Sequence, residues 1–450
     1  MNEIMQNKIE IIEKMRSELL SGTDSEAIET RHKARALTAR ERVEKLLDPG
    51  TFYEIELFSK PIETGLPVDK KTIRGDGLVV GYGDVNGQPI CVWAQDATMF
   101  GGKVGITHGA KIVTLIERAL KANFVFMVRN SSYMCVSSPP EGVASEDMGG
   151  APMHFKKTGC CDVLADSDEE CIQKAKELLG FLPSNNNDTA PLVDNGDDVN
   201  REVPELLDIV PGDSKKPYRV QDVIIAIVDN GQFFETKGGW ATNLVVGFAR
   251  FGGKSVGIIA NNPWIMGGCL DVDSADKLAR FVRFCDAFNI PLVYLADTPA
   301  FLPGIEQERR GIIRHGAKTV FANSVATTSQ IQVYLRKCYG GGNLGMPGNN
   351  LGGDFGILWP TAEVLLMHPE GAVSIIYRKE IAEADDPKKE YQQRVAQFKE
   401  TGAVENVWEV MTGQDYIHPK DTRSKIIRTL RLLEGKRLET RWHKHDNMPL

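Results

Sequence analysis

The chain of 450 residues contains part of its own sequence twice, and a repeat of this kind settles the architecture before any single element is assigned. Residues 79–123, shifted by 166 positions, fall on 245–289 without a gap. Val79-Val80-Gly81-Tyr82 meets Val245-Val246-Gly247-Phe248, and Gly87 meets Gly253. Ala94-Gln95-Asp96 meets Ala260-Asn261-Asn262, and Gly101-Gly102 meets Gly267-Gly268. Lys111 meets Lys277 and Asn123 meets Asn289. Glycines that recur at matched turns are backbone requirements, so the chain holds two copies of one supersecondary unit. The copies then part. The second runs from Asn289 through Pro291–Val293, a loop at Asp297–Gly304 and a glycine cluster at Gly340-Gly341-Gly342, and reaches Glu370-Gly371-Ala372. The first passes from Asn123 directly to Phe124–Met127 and reaches Glu141-Gly142-Val143, now at an offset of 229. Copy one therefore lacks about 63 residues that copy two keeps.

The remaining pattern places the repeat in an α/β chain. Ile9, Ile12, Met15 and Leu19 share one face of an opening helix over 3–20. Thr38-Ala39-Arg40-Glu41 reads as a capping box before Val43, Leu46 and Leu47, and Asp48-Pro49-Gly50 ends that helix. Strands are expected at Val79–Gly81, Ile90–Ala94, Val245-Val246, Ser255–Ala260 and Pro291–Ala296, with a helix near 274–288. Such alternation predicts βα units. Residues 184–217 are rich in Asn, Asp and Pro and read as an interdomain linker. The expected domains are 1–205 and 206–450, the first one shortened after Asn123.

Composition excludes several classes. The net charge of −8 is spread along the chain without a basic block, which argues against nucleic acid as a partner. The eight cysteines form no Cys-x-x-Cys pair and no zinc-ribbon spacing, so no metal is expected and a reducing compartment is. The N-terminus is neither a signal nor an Arg-rich transit peptide, and no apolar run reaches the roughly 20 residues that span a bilayer. A soluble cytoplasmic protein is expected.

Four constellations have chemical potential. Tyr339-Gly340-Gly341-Gly342-Asn343 follows the apolar strand Ile331–Tyr334. A glycine cluster there can aim backbone N–H groups at an anion, or simply form a tight turn. Asp297-Thr298-Pro299-Ala300-Phe301-Leu302-Pro303-Gly304 makes a stiff loop after a buried strand, either a pocket wall or a packed connection. Gly311–Lys318 starts a helix close behind it, with His315 open to acid–base, capping or packing roles. Gly101-Gly102-Lys103 and Lys111 place basic groups near glycine turns, where phosphates can bind, although surface lysines are the commoner case. There is no Gly-x-x-x-x-Gly-Lys loop, no Gly-x-Ser-x-Gly elbow and no close carboxylate pair. Any catalysis would rest on backbone donors and positioning.

These residues together resemble a known family. Leu37-Thr38-Ala39-Arg40-Glu41-Arg42 with Leu47-Asp48-Pro49-Gly50 resembles the opening of the carboxyltransferase (β) subunits of biotin-dependent acyl-CoA carboxylases. So do Gly149-Gly150-Ala151 with His154 and Gly159, and Val228-Asp229-x-Gly231-x-Phe233. The more specific matches are Asp271-x-Asp273-Ser274-x-Asp276-Lys277, Arg283–Pro291, Phe301–Gly304, Gly311–Lys318, Arg336-Lys337-x-Tyr339-Gly340-Gly341 and Trp359–Glu363. The resemblance covers roughly residues 30–440 and is nearest to the propionyl-CoA and methylmalonyl-CoA type.

The resemblance implies two crotonase-like ββα superhelical domains, with acyl-CoA on the N-terminal side and carboxybiotin on the C-terminal side. It implies a biotin carboxyl carrier protein and a biotin carboxylase subunit as partners, and a homo-oligomer (a dimer or a trimer of dimers). The biotin-side oxyanion site then falls on Gly341 and Gly342. Pro299, Phe301, Leu302, Pro303, Gly304, Gly311 and Gly340 would frame the biotin pocket, and Gly101, Gly102 and Leu344 would serve the acyl-CoA. The family's acyl-side oxyanion glycines and its Gly-Gly-Ala-Arg loop lie in the stretch that copy one lacks. Ala300 stands where glycine is usual, and Asn343 follows the glycines where the family's motif reads Gly-Gly-Ala-Tyr. Three further readings stay open: a decarboxylase running the transfer in reverse, a non-catalytic scaffold, and an incompletely predicted gene.

Overall fold

The computed structural model describes residues 3–20, 25–62, 75–99, 104–122, 125–128, 147, 149–347, 351–401, 414–438 and 447–449. They form two compact units. One comprises Met1–Gly150 with Leu164–Asn186, the other Ala151–Val163 with Asn187–Leu450. The division expected at 205/206 thus lies inside the second unit.

In the first unit, helix α1 (Glu3–Leu20) buries none of its residues fully, and of the apolar face read from its spacing Ile9, Ile12 and Met15 stay exposed while Leu19 is half-buried. Helix α2 (Ala39–Leu46) carries the expected capping box, with Thr38 accepting from Glu41 N–H and Glu41 reaching back to the Thr38 amide. Strands β1 (Tyr53–Glu54), β2 (Leu78–Val85), β3 (Gln88–Gln95) and β4 (Val125–Val128) form one sheet in that order. Helix α3 (Ile106–Ala122) sits between β3 and β4 in the chain. Two small cores result, one around Val43, Leu46, Ile90 and Val92, the other around Val80, Trp93 and Leu115.

The second unit has an eight-stranded sheet. Its strands β5 (Phe233–Thr236), β6 (Leu244–Phe251), β7 (Lys254–Asn261), β8 (Leu292–Thr298), β9 (Gln330–Tyr339), β10 (Phe355–Leu358) and β12 (Gln414–Tyr416) run in the order β12-β10-β9-β8-β7-β6-β5. β11 (Glu363–Leu365) pairs with the far end of β9. From β7 to β12 all neighbours are parallel. Helix α4 (Val272–Ala287) connects β7 to β8. As usual for strands covered on both faces, β8 and β9 are buried almost end to end.

The repeat is visible as paired geometry. Leu78 faces Gln95 across the first hairpin, and Leu244 faces Asn261 across the second, the same 166-residue shift. Val92 pairs with Met127 as Ile258 pairs with Val293, so β4 lies beside β3 in the register that β8 takes beside β7. The likeness also extends upstream of the sequence match. Tyr53 pairs with Tyr82 as Phe234 pairs with Phe248. Asp48 accepts from the N–H groups of Asn86 and Gly87 at the tip of the first hairpin. Asp229 accepts from Gly252 and Gly253 at the tip of the second. Lys111 donates to Leu78 O, and Lys277 donates to its counterpart Leu244 O. Both lysines are buried. Lys111 also pairs with Asp76 at 2.9 Å, so it is neither the surface lysine nor the phosphate ligand that the sequence suggested. Lys277 reaches instead the carbonyls of Lys237, Trp240 and Ala241. Its burial pushes the ammonium down to about 7, against the pull of Glu235.

The stretch read as a linker is a second correction. From Asn187 onward it belongs to the second unit, and Val203, Leu206, Val210 and Tyr218 are buried in that unit's core with Val220 and Ile224. Arg336, 1 % exposed, donates to the carbonyls of Pro211, Asp213 and Lys216, so the polar segment is tied down by its backbone. The Gly149–Gly159 motif has a packing explanation as well. A side chain at Gly159 would lie 2.2 Å from the Trp240 ring.

Asp229 offers a direct test. Arg423 Nη1 lies 2.6 Å from its Oδ1, with both groups buried. Burial raises the Asp229 carboxyl, but N–H groups of Gly253 and Gly252, with Asn195 and Arg423, outweigh it and hold the group below the usual carboxylate range. Asp229→Ala is expected to destabilise the protein by about 3–5 kcal/mol in urea unfolding. Arg423 loses the nearer of its two buried carboxylates, keeping Asp197 at 3.4 Å, and the Gly252 and Gly253 N–H groups lose their acceptor. The folded-state pKa is depressed, so the Asp229 contribution is full above the ordinary value of about 3.9. It fades as pH falls through the lowered folded value. An acid limb identical in wild type and variant would contradict this assignment.

Candidate active site

The candidate residues of the second unit meet at the carboxyl ends of β7, β8 and β9, where ligands bind in open α/β sheets. After β7 the chain turns at Gly268, whose φ of +78° and closeness to Asp297 O (2.3 Å from an added Cβ) require glycine. Leu270 then pairs with the loop after β8. Its N–H donates to Ala300 O at 3.0 Å, and its carbonyl accepts from Leu302 N at 2.6 Å. Ala300 has no positive φ, so alanine is accommodated here without backbone strain.

Phe301 is the centre of this arrangement. Helix α5 (Ile305–Arg309) begins at Gly304, and helix α6 (Ile312–Val325) is capped by Gly311, with φ values of +144° and +81°. Helix α7 (Gly340–Gly345) is the glycine cluster itself. Cβ atoms added at Gly341, Gly345 and Gly316 would come within 3.2, 3.1 and 3.4 Å of the Phe301 ring. The ring is therefore seated between α6 and α7, and the spacing of Gly341 and Gly345 puts both on one face of α7. Gly342 rests on Thr298, with an added Cβ 2.9 Å from Thr298 Cγ2. Gly340 takes φ +49° beneath Leu366 O. Gly341 is exposed and Gly342 buried. The first N–H groups of such a helix have no partner within it.

Beneath the loop, Asp297 and Arg336 form a buried ion pair at 2.7 Å, and Tyr218 O–H donates to the same carboxylate oxygen at 3.0 Å. Burial raises the Asp297 carboxyl while the Arg336 guanidinium pulls it down. On the strand side, Cys338 Sγ donates to Asn343 Oδ1 at 3.2 Å, and Tyr339 O–H donates to Glu363. His315 is no isolated acid–base group, since its Nδ1 lies 2.8 Å from Asp276 Oδ1. Leu344 points outward and is 51 % exposed.

Pro299, Phe301, Leu302, Pro303, Gly304, Gly311, Gly340, Gly341, Gly342 and Leu344 thus belong to one end of one sheet. Gly101 and Gly102 lie outside the described residues. Sequence reasoning missed Leu270 and Gly345. Of these, Gly345 had a readable signal, since it repeats Gly341 one helical turn later. Among the described residues no three His, Cys, Asp or Glu side chains converge as metal ligands, and no helix is long and apolar enough to cross a membrane.

Comparison with known proteins agrees with this geometry. The carboxyl transferase domain model matches residues 30–133 and 121–448. The chain belongs to that family. The methylmalonyl-CoA decarboxylase α subunit of Veillonella parvula is 38 % identical over 515 positions, covering 99 % of both chains. The methylmalonyl-CoA carboxyltransferase 12S subunit of Propionibacterium freudenreichii subsp. shermanii is 37 % identical, covering 99 % of this chain and 98 % of that one. Among solved structures, the transcarboxylase 12S hexamer with methylmalonyl-CoA bound superposes with a TM-score of 0.94 at 37 % identity, over 99 % of this chain and 98 % of that one. The propionyl-CoA and methylmalonyl-CoA type read from the motifs is therefore borne out, as is the crotonase-like carboxyltransferase fold.

If the Phe301 ring holds α6 and α7 together, Phe301→Ala should cost about 3 kcal/mol of stability. Amide exchange should then rise together in 311–318 and 340–346. Faster exchange confined to the loop 299–304 would show that the two helices do not depend on the ring.

Proposed function

We propose that this chain is the carboxyltransferase subunit that moves a carboxyl group between biotin and the α carbon of a short acyl-CoA, propionyl-CoA or acetyl-CoA. The reading is carried by one observation: the glycine helix Gly340–Gly345 opens at the carboxyl end of β9 against an apolar floor of Phe301. Carboxybiotin, brought on a carrier protein charged by a biotin carboxylase, would supply CO2 and a ureido anion able to accept the α-proton of the thioester. The chain's own contribution is positional. Gly341 and Gly342 present backbone N–H donors to a developing oxyanion without a side chain in the way. Phe301 and Leu302 shield one face from water, and Thr298 sets the height of Gly342. No protein acid or base is required for this chemistry, which suits a site whose histidine is engaged with Asp276.

The same transfer run backwards is a second reading, supported by the decarboxylase relatives at 38 % and 36 % identity. The hexamer named for the 12S structure supports a homo-oligomer here. We also propose that copy one is short by about 63 residues, read from the repeat as missing after Asn123; the shared register of β4 and β8 supports a gap beyond β4. Two observations support this. The alignment to the Veillonella protein spans 515 positions against a chain of 450, so at least 65 have no counterpart here. The two matched stretches of the family model meet at 121–133, where the self-comparison breaks.

The test is reverse carboxyltransfer on the purified protein, with malonyl-CoA or methylmalonyl-CoA plus free biotin. Carboxybiotin or the decarboxylated thioester should form. Gly342→Ala, which must shift the helix off Thr298, should lower kcat by about 10²-fold. No turnover from a folded, oligomeric protein would instead favour the scaffold reading.

A further inference from the structure

The specific motif Asp271–Lys277 on α4 is only partly absorbed by the account above. Asp271 caps the helix with Ser274, and Lys277 holds carbonyls. Asp273 and Asp276 do neither, and both reach toward the segment that borders Phe301. Arg310 Nη2 lies 2.5 Å from Asp273 Oδ1. Asp276 Oδ1 receives His315 Nδ1 and Lys318 Nζ, each at 2.8 Å. Gln307 Oε1 accepts from Val272 N–H at 3.1 Å, a third tie between the same two elements.

The histidine meets a cationic donor at each ring nitrogen, Arg314 Nη2 at 3.3 Å from Nε2 and Lys318 Nζ at 3.2 Å from Nδ1, while Asp276 Oδ1 lies 2.8 Å from Nδ1. His315 and Lys318 lie three residues apart on one face of α6, so a single carboxylate oxygen holds that face. The neighbouring residue, Gly316, faces the Phe301 ring, and a Cβ added there would stand 3.4 Å from it. A shift of α6 about the Asp276 contact is thus a shift of Gly316 against Phe301.

We infer that Asp276 is a positioning residue for the biotin site: through His315 and Lys318 it sets where α6 meets Phe301. This rests on the proposed function for the identity of the ligand. Asp276 touches no reacting atom, and its effect is on the geometry of the pocket wall.

The test is binding of free D-biotin to the full chain, followed by ligand-observed NMR titration, beside the thermal midpoint. Asp276→Ala should weaken biotin binding several-fold, and Asp276→Asn, which keeps an acceptor oxygen, should restore most of it. Lys318→Met gives a milder loosening should the alanine variant fail to fold, and should weaken binding in the same direction. A lowered midpoint with unchanged biotin affinity in these variants would make Asp276 merely structural and overturn the inference. Absence of biotin binding to the wild type would overturn it too. Biotin binding that responds to Asp276 in a protein without carboxyltransfer would uphold the inference and count against the proposed activity alone.

Discussion

The geometry of the second unit's site depends on one steric constraint, the contact of the Phe301 ring with three residues that have no side chain. A methyl group at Gly341 or Gly345 would stand 3.2 or 3.1 Å from the ring, tighter than ordinary van der Waals contact, and one at Gly316 would reach it at 3.4 Å. The two helices close on the ring because no side chain intervenes. The glycine helix is a poor helix former on propensity alone, each glycine costing about 1 kcal/mol relative to alanine. Its placement follows from the floor of Thr298 and Phe301 and from the carbonyl of Gly345, which accepts from Asn323 at 2.9 Å. The same absence of side chains leaves its first N–H groups approachable, so packing and chemistry call for the same residue type.

The two units show how one supersecondary design tolerates different electrostatics. In each, an aspartate grips the hairpin tip and a buried lysine caps the first carbonyl of the leading strand. The first lysine is neutralised by Asp76, while the second is surrounded by backbone oxygens and is pushed towards its neutral form. The first unit's sheet places β4 against β3 in the register that β8 holds against β7. Beyond β8 the second unit continues with β9, the strand that delivers the glycine helix. Among the described residues the first unit's sheet has no strand beyond β4.

Much of this was legible in the sequence because it rests on local rules. Glycines at hairpin tips and helix starts, the Thr38–Glu41 capping box and the apolar strand before Gly340 each need only a few neighbouring residues. The site was legible as separate motifs, and the resemblance joined them. What stayed hidden depends on distant partners. The polar composition of 184–217 reads as a linker because its buried residues, Val203, Leu206 and Val210, are sparse. Its carbonyls are satisfied by Arg336, more than a hundred residues away. Lys111 reads as a surface lysine or a ligand for anions, yet it is buried and its partner Asp76 lies 35 residues upstream. The role of Asp276 is invisible without the fold, since His315 is 39 residues further on.

On the proposed reading, the Phe301 floor and the glycine helix form one binding site for the ureido group of biotin. A crystal structure of the full chain soaked with biotin is the decisive experiment. The ureido oxygen should lie within hydrogen-bond distance of the Gly341 or Gly342 N–H, with the ring system against Phe301 and Leu302. Biotin bound elsewhere on the chain, with this end of the sheet unchanged, would contradict it.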